Sequence, residues 1–381
     1  MMSPRFRLCS AATILSLALT TVPGARVISS SAQMELGKSS STRMSAYIDK
    51  VGKPVIDTSR YETSGRFSDG LASVKVPRQG WGFIDKTGAL VIPPQFEGTA
   101  GFKEGLAPVV VDDKWGFINK NGTLVIDNQF DWVAEFSEGV AIVERSLKRT
   151  QSPSRPLPGL PMTVRVESWN LADPRTDSAQ PADSEFLVID TNGKVLANLD
   201  QKKLSPDIDD ARFSEGLLPV FSEEKKAMGY INKSWEFVIQ PQFRKAAPFS
   251  EGLARVAVLE DEMEKLAFID KQGKFVIPPT FNTDYDFLRN SSNFSDGLAA
   301  LSEGLNPTQT KEQTFVYIDK TGKIVLATEF FYAGEFHDGL AIVYNAETDR
   351  WGFIDKTGKV VIPVQYRGVS SFSEGLALVG R

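Results

Sequence analysis

Eight acidic side chains recur at one fixed place along this 381-residue sequence. Each stands between a Ser, Lys or His and a glycine: Asp69, Glu104, Glu138, Glu215, Glu251, Asp296, Asp338 and Glu374. Carboxylates brought together in pairs can cleave glycosidic bonds, one protonating the leaving oxygen while the other attacks or activates water. That chemistry needs two special carboxylates. Eight equivalent ones point instead to a shared duty in folding, accepting hydrogen bonds from neighbouring turn N–H groups. His337 is the only histidine, and it stands in the slot before the acid that most copies fill with Ser. A lone His at a turn reads as a surface substitution rather than a catalyst. With Cys9 as the only cysteine, neither a zinc site nor a Ser-His-Asp relay can be assembled. Asp190-Thr191-Asn192-Gly193 opens like a calcium loop but lacks the downstream Glu, so it reads as a hairpin turn. No Gly-rich phosphate loop is present, and no cofactor is expected.

The acids belong to a five-residue turn, Phe-x-acid-Gly-Leu (once Val), that begins at Phe67, Phe102, Phe136, Phe213, Phe249, Phe294, Phe336 and Phe372. Its glycines are Gly70, Gly105, Gly139, Gly216, Gly252, Gly297, Gly339 and Gly375. A second block precedes each turn, best preserved as Trp81-Gly82-Phe83-Ile84-Asp85-Lys86-Thr87-Gly88 and as Trp351 to Gly358. Its Ile is kept in all eight copies, from Ile48 to Ile354. Such a period decides the architecture, because one unit can bury its apolar face only against its neighbours.

Each unit reads as strand, turn, return strand, Phe-containing turn and third strand, as in Lys114–Lys120, Thr123–Ile126 and Leu106–Val111. An Asp or Asn three residues before Gly suits a type I turn closed by a left-handed glycine. Trp235 replaces that glycine in the fifth copy, so a different turn is expected there. The first strand is apolar on both faces, as in a sheet packed between two others. Prolines in Val91–Phe96 place the return strand at an edge or end its pairing.

The expected fold is all-β, a tandem array of eight three-stranded β-meander repeats. The array opens at Tyr47 with a hairpin lacking its third strand and closes at Leu376–Val379 with a third strand lacking its hairpin. A ring-closed, propeller-like array is therefore favoured over an open superhelical solenoid, since closure removes exposed sheet edges.

The first 32 residues are distinct from the array. Arg5 and Arg7 precede the apolar stretch Leu8–Val22, and Ser30-Ser31-Ala32 offers small residues for cleavage, as in a secretory signal peptide. Residues 33–44 read as a flexible leader and 45–381 as the array. Cys9 lies too early for a lipid anchor, and its removal leaves a cysteine-free chain suited to an oxidising compartment. The whole chain carries −5, and without the three arginines of the first 32 residues the charge falls to −8. A mildly acidic product of this kind is a poor partner for nucleic acid or an anionic membrane. No later segment is long and apolar enough to span a bilayer.

The Trp-Gly-Phe-Ile-Asp-Lys-x-Gly-x-Val-Ile-Pro-Pro-x-Phe blocks and Phe-Ser-Glu-Gly-Leu-Ala turns closely resemble the WG-repeat family. The naming pair survives as Trp81-Gly82, Trp115-Gly116 and Trp351-Gly352 and has drifted elsewhere, to Phe186-Leu187 and Phe315-Val316 for example. The resemblance implies a β-rich repeat protein of the kind common in bacteria and often exported. It brings no catalytic residues.

Specificity is then expected where copies differ. A Pro-rich insertion at about 145–185, and shorter ones near 260–264 and 302–313, all join a third strand to the next hairpin. Two residues past the return-strand aromatic, the copies vary and include Trp132 and Tyr332; with Trp169 of the long insertion these are candidate binding aromatics, or else covers for neighbouring repeats. The functional expectation is an exported, non-enzymatic scaffold binding a protein or cell-envelope ligand through variable loops. A carbohydrate-binding or carbohydrate-cleaving envelope protein is the alternative.

Overall fold

The computed structural model describes residues 44–147, 184–207, 210–260, 262–282, 291–303 and 314–380. The segment expected to be a signal peptide, the expected leader to residue 43, Trp169 and most of the long insertion lie outside them. Among the described residues there is no α-helix, only a 3-10 turn at Asp200–Lys202. Eight small antiparallel sheets follow one another in a ring, an eight-bladed β-propeller.

Blade 2 shows the plan. Strand a (Thr63–Ser64), strand b (Leu71–Val76), strand c (Gly80–Asp85) and strand d (Leu90–Phe96) pair in that order. Strands b, c and d are the meander counted in the sequence. Strand a is an added pairing of only two residues in several blades, such as Gly98–Thr99 and Trp132–Val133. Blade 7 has three strands among the described residues, Ala299–Glu303, Thr314–Ile318 and Ile324–Ala327.

Blade 1 is built from both ends of the array. Met44–Ile48 pairs on one side with Pro54–Asp57 and on the other with the last strand of the chain, Ala377–Gly380. In that second pairing Ala46 faces Val379 and Ile48 faces Ala377. The last strand thus completes the first hairpin and the ring closes.

Strand c explains why the array consumes so much aromatic side chain. Phe83 and Ile84 point to opposite faces, and both are fully buried, one against each neighbouring blade. The aromatic at the Phe83 position packs on the turn Phe of the next blade. Ring centroids are 4.8 Å apart for Phe83–Phe102 and Phe117–Phe136, 5.0 Å for Phe268–Phe294 and 4.9 Å for Phe353–Phe372. Where Tyr takes the place, its hydroxyl donates to a carbonyl of the next blade, Tyr230 to Ala247 at 2.8 Å and Tyr317 to Gly334 at 2.8 Å. Each tilted or edge-on ring pair adds about 0.5–1.5 kcal/mol beyond its buried area.

The c–d hairpins turn as their Asp and Gly dictate. Asp85 Oδ1 accepts the N–H groups of Thr87 at 2.9 Å and Ala89 at 3.1 Å, and Gly88 sits at φ +83°. Trp235 corrects the sequence expectation. It takes the same left-handed conformation, φ 65°, and its N–H reaches Asn232 O at 2.9 Å just as the glycines do. The strain is tolerated where the indole stacks edge-on against Phe213, 6.1 Å away.

The Gly of the Trp-Gly pair has a separate reason. Strand d slips register between Ile92 and Phe96, and the bulge carries the Ile92 carbonyl over strand c. A Cβ on Gly82 would lie 2.5 Å from that oxygen, and one on Gly116 2.6 Å from the Ile126 oxygen. In blades 1, 4 and 7, where Ala46, Leu187 and Val316 stand instead, strand d ends after four residues. Ala267 of blade 6 is the exception, facing the long strand Phe275–Asn282.

Candidate functional site

Each acidic turn is closed by its own backbone. Ser68 and Leu71 exchange hydrogen bonds of 2.9 and 3.1 Å, with Asp69 at φ 53° and Gly70 at φ 84°. Positive φ at both central residues makes this a type I′ hairpin turn. Every acid in the series holds the same conformation, φ 53–56°.

Each carboxylate accepts the N–H of the glycine in the next turn. Asp69 holds Gly105 at 2.7 Å, Glu104 holds Gly139 at 2.8 Å and Glu138 holds Gly216 at 2.9 Å. Glu215 to Gly252 follows at 2.9 Å, Glu251 to Gly297 at 3.1 Å, Asp296 to Gly339 at 2.7 Å and Asp338 to Gly375 at 2.8 Å. Glu374 to Gly70, 3.1 Å, closes the circle. The hairpin lysine of the following blade often joins in, as in Lys271–Glu215 at 3.0 Å and Lys320–Glu251 at 3.1 Å. Burial pushes Glu215 upward, but the Gly252 N–H and Lys271 outweigh it and hold the carboxyl below the usual range. Repeated Ser hydroxyls complete the belt by donating to the next turn Phe carbonyl, Ser214 to Phe249 at 2.6 Å for instance. The eight acids are thus committed to one another's turns.

A second set of polar groups breaks the eightfold pattern. Immediately before the turn Phe the blades carry Arg66, Gly101, Glu135, Arg212, Pro248, Asn293, Glu335 and Ser371. Glu135 of blade 4 feels the charges of Lys103 in blade 3, Arg212 in blade 5 and Arg66 in blade 2. Blades 2 and 4 are separated by blade 3, so side chains that act on each other across it must face the axis of the ring. Arg255 of blade 6 likewise feels Asp210 in blade 5 and Glu335 in blade 8, with blade 7 between them.

The two axial glutamates differ. Glu335 is well partnered. Its carboxylate lies 3.3 Å from His337 Nε2 and accepts the Asn293 N–H at 3.1 Å. Burial pushes it upward, yet the His337 hydrogen bond and charge, with Arg255 and the Asn293 N–H, hold it below the usual carboxylate range. Its side chain keeps 29% exposure. Arg255 is 5% exposed and donates to Asn293 Oδ1 at 3.0 Å and to Ser291 O at 2.6 Å. Glu135, by contrast, has no hydrogen bond or ion-pair contact among the described residues. Burial pushes its carboxyl up despite the pull of Lys103, Arg212 and Arg66.

The aromatics singled out in the sequence lie elsewhere. Trp132 begins strand a of blade 4 rather than a loop; it is 4% exposed and packs edge-on to Phe186 at 6.4 Å. It is core, and offers no binding face. Tyr332 also begins a strand and is wedged between Phe315 at 5.3 Å and Trp351 at 5.7 Å. Trp115 and Trp351 are buried, and Trp81 is partly so. His337 sits beside the axis, paired with Glu335. Its signal was present in the sequence: the Ser slot departs from Ser only at Lys103 and His337, and His337 is the one that meets an axial glutamate.

Fold and turns together define a repeat-built β-propeller. The family model described as "WG containing repeat" matches residues 46–76, 81–115, 115–145, 228–258, 267–304, 317–345 and 351–380. The chain belongs to the WG-repeat family. No curated protein sequence matches it. Similar solved structures include the computationally designed Ika8 protein, 11% identical with a TM-score of 0.45, covering 89% of this chain and 97% of that one. BamB from Moraxella catarrhalis is 9% identical with a TM-score of 0.43 and the same coverage. A putative dipeptidyl aminopeptidase IV from Bacteroides ovatus is 11% identical with a TM-score of 0.44, covering 78% of this chain and 51% of that one. Among the described residues no helix is long and apolar enough to cross a membrane.

Proposed function

We propose that the chain is an exported scaffold that binds, and does not transform, a protein or other ligand of the cell envelope. One observation carries the reading. The two longer insertions leave from the b–c connection of their blades, after Ser146 and Glu303, at the end opposite the acidic turns, whereas at 260–264 Glu260 pairs directly with Met263 and the extra residues only lengthen that hairpin at the same end. Variable segments gathered at one end of a rigid ring are the usual place for recognition. The commitment of all eight repeated acids to turn N–H groups supports the non-enzymatic half. Export rests on the N-terminal sequence alone.

A glycan array, a hydrolysis screen and a panel of envelope proteins test this with the intact chain and with one whose residues 148–183 are replaced by Asp-Asp, the short link of blade 3. Specific binding without turnover, lost when the insertion goes while the unfolding midpoint stays, is the expected result. Turnover abolished by a single Asp or Glu substitution in a folded chain would defeat it. Export predicts a mature N-terminus after Ala32, read by mass spectrometry of the secreted or periplasmic fraction.

A further inference from the structure

Blade 8 carries a pocket lined by two arginines. Its strand c begins at Arg350 and its strand d ends at Tyr366. Trp351 and Tyr366 stand opposite each other, so Arg350 and Arg367 are the next pair along that ladder. With Gln365 and Tyr366 they line an open pocket of about 310 Å³. Arg350 donates to the Asp349 carbonyl at 2.7 Å, while the Asp349 carboxylate accepts the Tyr344 hydroxyl at 3.0 Å. Neither guanidinium meets a carboxylate among the described residues.

The same two positions in other blades are filled differently. In blade 3, beyond the Trp115–Phe130 pair, they hold Lys114 and Asp131, which form an ion pair. In blade 6 they hold Lys265 and Asn282, and Lys265 meets Glu260 at 2.7 Å. In blade 5, beyond the Met228–Phe243 pair, they hold Ala227 and Arg244, and Arg244 meets Glu264 of blade 6 at 3.6 Å. Each of these cations has an acid. Blade 8 instead sets two cations across from each other, an arrangement that costs stability rather than adding it. The repeat does not require it.

We infer that this pocket binds a phosphoryl group, free or as the monoester of a small molecule, held between the Arg350 and Arg367 guanidinium groups with the Gln365 amide beside them. A phosphate monoester carries about −1.5 to −2 charge and three strong acceptor oxygens. That matches two cations without a counter-charge. Each planar guanidinium fork can address two oxygens at once, which a lysine cannot. A carboxylate, with one charge, would leave one arginine uncompensated. None of the four lining residues is acidic, so the lining itself does not repel an anion. The volume lies at the lower end of small-molecule sites, about 300–1,000 Å³, which leaves room for a small esterified body beside the phosphoryl group.

The experiment is calorimetric titration of the full chain with inorganic phosphate, α-glycerol phosphate, phenyl phosphate and acetate. At least one phosphorylated probe should bind with a Kd below about 1 mM, more weakly as salt rises, and acetate should bind about tenfold or more weakly than that probe. An ester that binds more tightly than inorganic phosphate identifies a monoester as the ligand. Inorganic phosphate binding as tightly as the esters identifies the free ion, and either result upholds the site. Arg350→Gln and Arg367→Gln should each weaken binding by about tenfold or more. Arg367→Asp installs the charge pair of blade 3; it should hold or raise the thermal midpoint while abolishing binding, and it keeps the test valid if either glutamine variant fails to fold. Arg244→Gln, at the matching position of blade 5, should leave the affinity unchanged. No phosphorylated probe binding below about 1 mM would overturn the inference. So would acetate binding as tightly, undiminished binding by the Arg367→Asp chain, or loss of binding in Arg244→Gln.

Discussion

The Glu374 carboxylate accepts the Gly70 backbone N–H at 3.1 Å, joining residues 304 positions apart. It is the same bond that Glu138 makes to Gly216 within the array, and in both places a hairpin lysine joins the carboxylate, Lys86 at 2.9 Å and Lys233 at 3.2 Å. The seam of the ring is therefore built like every other junction. Glu374→Ala should lower stability by about 1–3 kcal/mol, the usual penalty for removing a charged acceptor from its donors. Glu138→Ala should cost the same within about 0.5 kcal/mol. Urea unfolding of the two variants checks this. An unaffected Glu374→Ala chain beside a weakened Glu138→Ala chain would mean that the seam is open in solution.

The Trp-Gly pair makes a prediction of its own. At Gly116 any side chain meets the Ile126 carbonyl and the Asn128 backbone, both under 3.0 Å from an ideal Cβ. Gly116→Val should force strand d away from strand c and cost about 1–3 kcal/mol. It should also free the amides at the end of strand d, which pair in the wild type as Phe130 with Trp115. Hydrogen exchange at Gln129 and Phe130 would report that loss. Unchanged protection would show that the bulge, not the missing side chain, sets the length of the strand.

Trp132 tests whether an aromatic at a variable position serves binding or packing. With 4% exposure, in a cluster shared with Phe213 and Leu218 of the next blade, its removal should act on stability. Trp132→Ala should destabilise by about 3–5 kcal/mol. Trp132→Phe should recover much of that while leaving any ligand affinity unaltered. A Trp132→Ala chain that unfolds like wild type but loses a ligand would restore the binding role.

Much of this architecture could be read before any coordinates. The period, the two-faced burial of Phe83 and Ile84, and the missing halves at the two ends all follow from patterns that repeat eight times, and repetition averages out local ambiguity. What repetition cannot reveal is a feature made once. Glu135 and Arg66 lie 69 positions apart, and the charge of one reaches the other only because the ring brings blades 2 and 4 round to face each other, a relationship with no local trace. Trp132 misled for a related reason, since strand a is two residues long and two residues carry no alternation to distinguish a strand from a loop. Trp235 showed that the Asn232 side chain and the hairpin's own hydrogen bonds can hold a non-glycine residue at positive φ. Propensity ranks glycine first there without forbidding the rest.

The two axial glutamates should respond to acid with opposite signs of contribution. Glu335 faces His337, Arg255 and the Asn293 N–H, and its folded-state pKa lies below the ordinary value of 4.5. Such a group stabilises the fold above its unfolded pKa and loses that contribution as pH falls through its folded one. Glu335→Gln should therefore weaken the protein at pH 7 by about 1–3 kcal/mol, and the gap should narrow below pH 4.5. Glu135 faces Arg66, Lys103 and Arg212 without touching them, and its folded pKa is raised above 4.5. Held ionised at pH 7, it opposes folding, and the opposition fades as pH falls through the raised value. Glu135→Gln should then stabilise the protein at pH 7, by less than about 1 kcal/mol because water and three cations still reach the group, and the gain should shrink towards pH 4.5. Urea midpoints of wild type and both variants at pH 7 and pH 4 decide the matter. If the two substitutions shift stability in the same direction at pH 7, these equivalent positions do not hold one partnered and one unpartnered carboxylate.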